Sequence, residues 1–305
     1  MIDMGQFFPD SLCCLLGLFG LCLLCRKSEK TCSNKKKVAV IELEGTIMPN
    51  TSPCASGINF KSVKKMLDKA FKMKPSAILL NIDSPGGAAD QCEQITNYIK
   101  ELRKANESVK ILSFVKGLGA SGGYWLACAG EKIYVMNTSM VGSIGVVSGG
   151  FGFDKAIEKL GIERRVLHAG ENKVLNDPFL PVNPKGQEIL QRMLDQIHKT
   201  FISHVKNSRG ERIQGQDHER LFSGEVWTGQ DAIDLGLADA LGDVKSFIRE
   251  NYGEHVITYI TPKNENNPFQ MFGSTLGVFQ KGREPSPMEA VLQQAVQFNY
   301  PKIVV

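Results

Sequence analysis

Ser121 lies in a glycine-rich pentapeptide, residues 119–123 (GASGG), between an apolar β-rich run and a helical one. A serine on such a turn presents its Oγ beside main-chain N–H groups at the positive end of a helix, where a tetrahedral oxyanion is stabilised. The same pattern also serves phosphate-binding and purely structural turns. A second turn, residues 83–87 (DSPGG), ends an earlier strand and opens the next helix. Pro85 fixes that turn, and Gly86 and Gly87 let a carbonyl approach the backbone closely. Alone it reads equally well as a plain connector. Two such turns at neighbouring strand ends of one parallel sheet mark the place where sites form.

A serine nucleophile needs a base. The chain has five histidines: His168, His198, His204, His218 and His255. None has the setting of a triad base, although His168 and His255 remain open alternatives. The other option is a lysine whose amine is kept neutral by burial. Lys173, in residues 169–173 (AGENK), is the candidate. By pattern alone, a lysine there reads as a solvated surface charge.

The elements that must position these residues alternate. Strands are expected at 38–43, 76–82, 109–115, 132–135, 143–147 and 164–167, and helices at 60–71, 88–102 and 154–160. Residues 117–123 are expected as a turn opening a further helix. The first helix carries Val63, Met66, Leu67 and Ala70 on one side. This alternation implies βαβ units and a mostly parallel α/β sheet with flanking helices. A long amphipathic helix over 184–207 follows, with Ile189, Leu190, Met193, Ile197, Phe201 and Val205 as its stripe. From 254 onward the composition changes. Residues 263–268 and 281–287 read as loop and 286–298 as a short helix, so 254–305 is treated as an extension.

The 305 residues are 42% hydrophobic and 22% charged, which excludes a disordered chain and a many-span membrane protein. The net charge of +4 is concentrated at the N-terminus, so the near-neutral body argues against nucleic-acid binding. Cys22-x-x-Cys25 is followed by no second Cys/His pair at finger spacing, so no metal is expected. No cofactor is expected either. Residues 11–25 (SLCCLLGLFGLCLLC) carry no charge, and with Phe7 and Phe8 ahead of them they read as a membrane segment over 7–25. Lys and Arg follow it, whereas Asp3 and Asp10 precede it, which favours a cytoplasmic body. Residues 1–37 are thus an anchor and basic linker, and 38–253 the catalytic unit.

Residues 83–87 (DSPGG), 119–124 (GASGGY), 141–146 (VGSIGV), 169–173 (AGENK) and 224–239 (GEVWTGQDAIDLGLAD) stand in an order that resembles the signal peptide peptidase A family, also called protease IV. The resemblance implies a ClpP/crotonase-like fold and a membrane-anchored Ser–Lys serine endopeptidase. Its implied substrates are extended peptides, such as signal-peptide remnants or membrane-derived peptides. It further implies Ser121 as nucleophile, Lys173 as general base and Ser143 as the partner of the lysine amine. Gly86, Gly87 and Gly122 match the oxyanion hole. The short members form ring-like homo-oligomers that pair serine and lysine from adjacent subunits. The 224–239 segment, with Trp227, is a structural hallmark to which no chemistry is assigned. The rivals are a Ser-His-Asp esterase using His255, acyl-CoA chemistry on the same sheet, and an inactive membrane scaffold.

Overall fold

The computed structural model describes residues 37–49, 57–253 and 255–262. The expected membrane segment at 7–25 and the tail beyond 262 lie outside the described residues.

The described chain builds one eight-stranded sheet in the order β6-β5-β3-β2-β1-β8, with β4 and β7 branching from β3. The strands are β1 (Lys37–Glu44), β2 (Ala77–Ser84), β3 (Lys110–Ala120), β4 (Ile133–Val135), β5 (Met140–Gly142), β6 (Val226–Thr228), β7 (Ala240–Leu241) and β8 (Val256–Ile260). All pairings are parallel except β5 with β6. The helices are α1 (Phe60–Lys72), α2 (Ala89–Ala105), α3 (Gly122–Ala127), α4 (Asp154–Lys159), α5 (Pro184–Arg209), α6 (His218–Leu221), α7 (Gly229–Asp234) and α8 (Val244–Asn251).

Side chains alternate across a strand, so a sheet covered on both faces needs apolar residues at every position. The central strands follow this rule. Ala39, Ile41 and Leu43 of β1 and Ile78, Leu80 and Ile82 of β2 enter the core beneath α1, α2, α3 and α5. Val38, Val40, Ala77 and Leu79 enter a second core with Val244 and Ile248 of α8. On α1 the buried residues are Val63, Met66, Leu67 and Ala70, the stripe its spacing predicts.

Four expectations need correction. β3 runs to Ala120, through residues expected to be a turn, because its second half gains a partner: Leu118, Gly119 and Ala120 pair with Met140, Val141 and Gly142. The strand expected at 143–147 lies earlier and stops at Gly142, since Ser143 has φ +51° and leaves the extended region. Residues 164–167 form no strand: Leu167 is fully exposed and no neighbouring strand pairs with them among the described residues. Finally, the extension expected from 254 begins with β8, which pairs in parallel with β1 and belongs to the sheet.

Candidate active site

Ser121 follows β3 and is the N-cap of α3. An N-cap serine ordinarily spends its hydroxyl on the helix's first N–H groups. Here no such bond forms, and the backbone sits at φ 55°, ψ −122°, a conformation L-residues rarely adopt. The hydroxyl and the Gly122 amide are therefore both left without partners among the described residues. Strain of this kind costs about 1–3 kcal/mol and survives only where surrounding structure imposes it. The imposing contacts are main-chain ones. The Ser121 N–H donates to the Gly142 carbonyl (2.8 Å), and the Trp125 N–H donates to the Ser121 carbonyl (3.0 Å).

The second turn meets the first. Ser84 pairs with Gly119 across a register shift in the β2–β3 ladder. A β-carbon added to Gly123 would stand 2.4 Å from the Ser84 carbonyl oxygen, so the start of α3 lies directly on the 83–87 turn. Glycine is required there by contact. The turn is itself clamped: the Ile47 N–H donates to the Gly86 carbonyl and the Ala88 N–H to the Ile47 carbonyl, each at 2.8 Å. Asp83 Oδ1 accepts the Leu118 N–H at 3.0 Å and ties the turn to β3.

These bonds separate the two glycine amides that the sequence leaves equivalent. The Gly86 N–H donates to the buried Ser84 Oγ at 3.2 Å, whereas the Gly87 N–H has no partner among the described residues. Gly87 also has φ +150°, and its α-carbon packs on the Ile47 carbonyl so closely that a β-carbon would stand 1.9 Å from the oxygen. Gly87, rather than Gly86, is the donor on this turn that is free to face a ligand.

Ser143 stands beside Ser121 by register, since Ala120 pairs with Gly142. It is the second serine with positive φ, and its N–H donates to the Glu225 carbonyl at 2.7 Å. Lys173 is placed differently. It lies in a turn closed by its own N–H to the Gly170 carbonyl (3.1 Å), and its side chain is exposed. No hydrogen bond joins it to Ser121 or Ser143 among the described residues. The sequence expectation of a lysine kept dry is not met within one chain.

No histidine is hydrogen-bonded to Ser121 among the described residues. His198 and His204 donate from Nε2 to the carbonyls of Ile144 and Trp125, each at 3.0 Å, so those nitrogens cannot accept a proton. Burial pushes the His204 imidazole down to about 4. His255 precedes β8, at the opposite end of a parallel pairing from the C-terminal end of β3 and three strands away. His168 is exposed, and its Nδ1 pairs with the Gly170 carbonyl. An esterase triad built on His255 is therefore excluded by topology. Cys92, beneath the Gly122 carbonyl, and Cys128 are free and buried, with burial pushing their thiols up to about 12 and about 11. Neither is a thiolate nucleophile.

A cavity of about 1100 Å³ opens between the 148–154 loop, the 174–183 segment and the first turns of α5. Ser121, Gly87, Gly122 and Lys173 do not line it.

Residues 103–254 match the model of peptidase family S49. The slr0021 protein of Synechocystis sp. is 32% identical over 210 residues, which cover 69% of this chain and 71% of that protein. The chain belongs to peptidase family S49. The matched stretch includes Ser121, Ser143, Lys173 and the 224–239 segment. A Brucella abortus protein named Na(+)/H(+) antiporter NhaA is 42% identical over 221 residues, 72% of this chain. The chain spans only 30% of that protein's length. Among solved structures, a serine-to-alanine mutant of the 1510-N membrane-bound stomatin-specific protease superposes with a TM-score of 0.50. It covers 75% of this chain and 99% of its own at 15% identity, a likeness of fold.

The sequence placed both turns at strand ends, where the structure has them. It did not distinguish Gly87 from Gly86. The signal for that choice is the serine at 84, whose hydroxyl accepts the N–H of the first glycine two residues on.

Proposed function

We propose that this S49 chain is a serine endopeptidase in which Ser121 is acylated by an extended peptide. One observation carries the reading: the free hydroxyl of Ser121 and the unpartnered amides of Gly122 and Gly87 lie on two turns that pack against each other through Gly123 and Ser84. In the mechanism, Lys173 in its neutral form removes the Ser121 proton and Oγ attacks the scissile carbonyl. The Gly122 and Gly87 amides stabilise the oxyanion, a contribution of the kind worth about 10²–10³ in rate per donor. The lysinium then protonates the leaving amine, and water hydrolyses the acyl-enzyme. The Ser143 hydroxyl orients the lysine amine.

Lys173 acts from a neighbouring copy of the chain. This is supported by its exposure and its lack of a bond to Ser121 within one chain. It is also supported by the exposed apolar side chains Val147, Phe151, Leu160, Ile162, Val182 and Met193 around the segment that carries it. Packing these against a second copy removes apolar area from water and strips water from the amine, which is what turns a lysine into a base. The substrates are signal-peptide remnants or other membrane-derived peptides. The chain is held at the membrane through residues 7–25, with the basic flank after them favouring a cytoplasmic body.

Fluorophosphonate labelling of wild type beside Ser121→Ala and Lys173→Ala tests the reading. Labelling confined to wild type supports it. Equal labelling of the Ser121→Ala chain removes Ser121 as nucleophile, and full peptidase activity in Lys173→Ala removes the lysine.

A further inference from the structure

The 224–239 segment is the one sequence motif that the mechanism leaves unused, and three contacts connect its first residues to both serines. Trp227 on β6 pairs with Val141 of β5 and is almost fully buried. Its ring edge lies against Gly142: a β-carbon there would stand 2.5 and 2.6 Å from the ring carbons Cε3 and Cζ3, and 2.8 Å from the Glu225 carbonyl oxygen. Gly142 has φ +104°, and its carbonyl is the acceptor that fixes the Ser121 amide at 2.8 Å. The next residue, Ser143, at φ +51°, is fixed by the Glu225 carbonyl at 2.7 Å.

We infer that Trp227 is a positioning residue for the peptidase site. The ring sets the height and twist of Gly142, and through one hydrogen bond each, Gly142 of β5 and Glu225, the residue before β6, set the orientations of Ser121 and Ser143. This inference rests on the proposed function above. The indole Nε1 is buried and has no partner among the described residues. A lone buried donor costs stability, so what the site uses is the volume and flatness of the ring. An aromatic ring without the N–H can do the same work. The Arg220 guanidinium of α6 forks onto the Glu225 carboxylate (2.9 and 2.7 Å), which ties the residue that holds Ser143 to the preceding helix.

The test is the rate of Ser121 acylation by a fluorophosphonate, resolved into kinact and KI, in the full-length chain with melting temperature recorded for each variant. Trp227→Ala is expected to lower kinact by about 10- to 100-fold with KI within about threefold, the effect of misplacing a reacting group by about 1 Å. Trp227→Phe is expected to stay within about threefold of wild type. Ile248→Ala, a truncation in the core on the other face of the sheet, is expected to lower the melting temperature without slowing acylation. If Trp227→Ala does not melt cooperatively, Trp227→Leu carries the same expectation. Acylation of either variant at the wild-type rate overturns the inference and leaves the peptidase reading intact. Equal slowing by Ile248→Ala overturns it too, because the effect is then global stability. Absence of labelling in wild type removes the peptidase reading and the inference together.

Discussion

The main-chain N–H of Ser121 donates to the carbonyl of Gly142 at 2.8 Å, and this bond holds a serine in a backbone conformation it would not choose alone. It is the cross-link between the end of β3 and the end of β5. The residue after each partner in that ladder, Ser121 after Ala120 and Ser143 after Gly142, has positive φ. Two strained serines side by side at the C-terminal edge of a parallel sheet mark the place where this fold concentrates function.

Gly123→Ala separates the two turns. Its methyl would stand 2.4 Å from the Ser84 carbonyl oxygen, a main-chain atom that cannot yield without moving the 83–87 turn. The expected outcome is a stability loss of about 1–3 kcal/mol by urea titration and a fall of about 10²-fold in acylation rate. A folded Gly123→Ala protein that acylates at the wild-type rate would show that the two turns act independently.

His204 makes stability depend on pH. Burial holds its imidazole at about 4 in the folded chain, against about 6.5 when unfolded. The unfolded state therefore binds more protons between those values. The stabilisation is fully present above about pH 6.5 and is lost as pH falls toward 4, a swing of order 3 kcal/mol. His204→Gln keeps a donor for the Trp125 carbonyl and removes the titration. Denaturation at pH 7 and pH 4.5 should show a smaller pH dependence in the variant than in wild type.

Arg209 locks the hallmark segment in place. It is almost fully buried, and it donates from Nε to the Gly236 carbonyl (2.8 Å) and pairs through Nη1 with Asp239 (2.9 Å). Burial pushes the Asp239 carboxyl up, but Arg209, the Ile133 amide and Arg212 outweigh it and hold the group below its usual range. Arg209→Met leaves that carboxylate half-paired, with Arg212 remaining. Chemical denaturation should report a loss of about 3 kcal/mol.

The central sheet was readable because burial on both faces writes continuous apolar runs, as in residues 38–43 and 76–82. The α1 stripe was readable from its 3.6-residue spacing. Short strands were read unevenly: 132–135 contains β4, whereas two others failed. Residues 164–167 and 143–147 have strand-like composition, but a strand exists only where a neighbour offers its ladder, and that information is not local. β5 has three residues and is specified by β3 on one side and β6 on the other. For the site, the glycine turns and serines were legible because tight turns demand particular residue types. The relation of Lys173 to Ser121 was not legible in the residues themselves, because an exposed lysine in a turn carries no local mark of a partner.

Mixing two inactive proteins tests the completed site most directly. Ser121→Ala retains Lys173, and Lys173→Ala retains Ser121, so chains that share a site across their interface can restore it. The expected result is no turnover from either protein alone and measurable peptidase activity after subunits of the two are exchanged. Under conditions where tagged wild-type subunits exchange, a mixture that stays inactive would contradict a lysine supplied by the neighbouring copy.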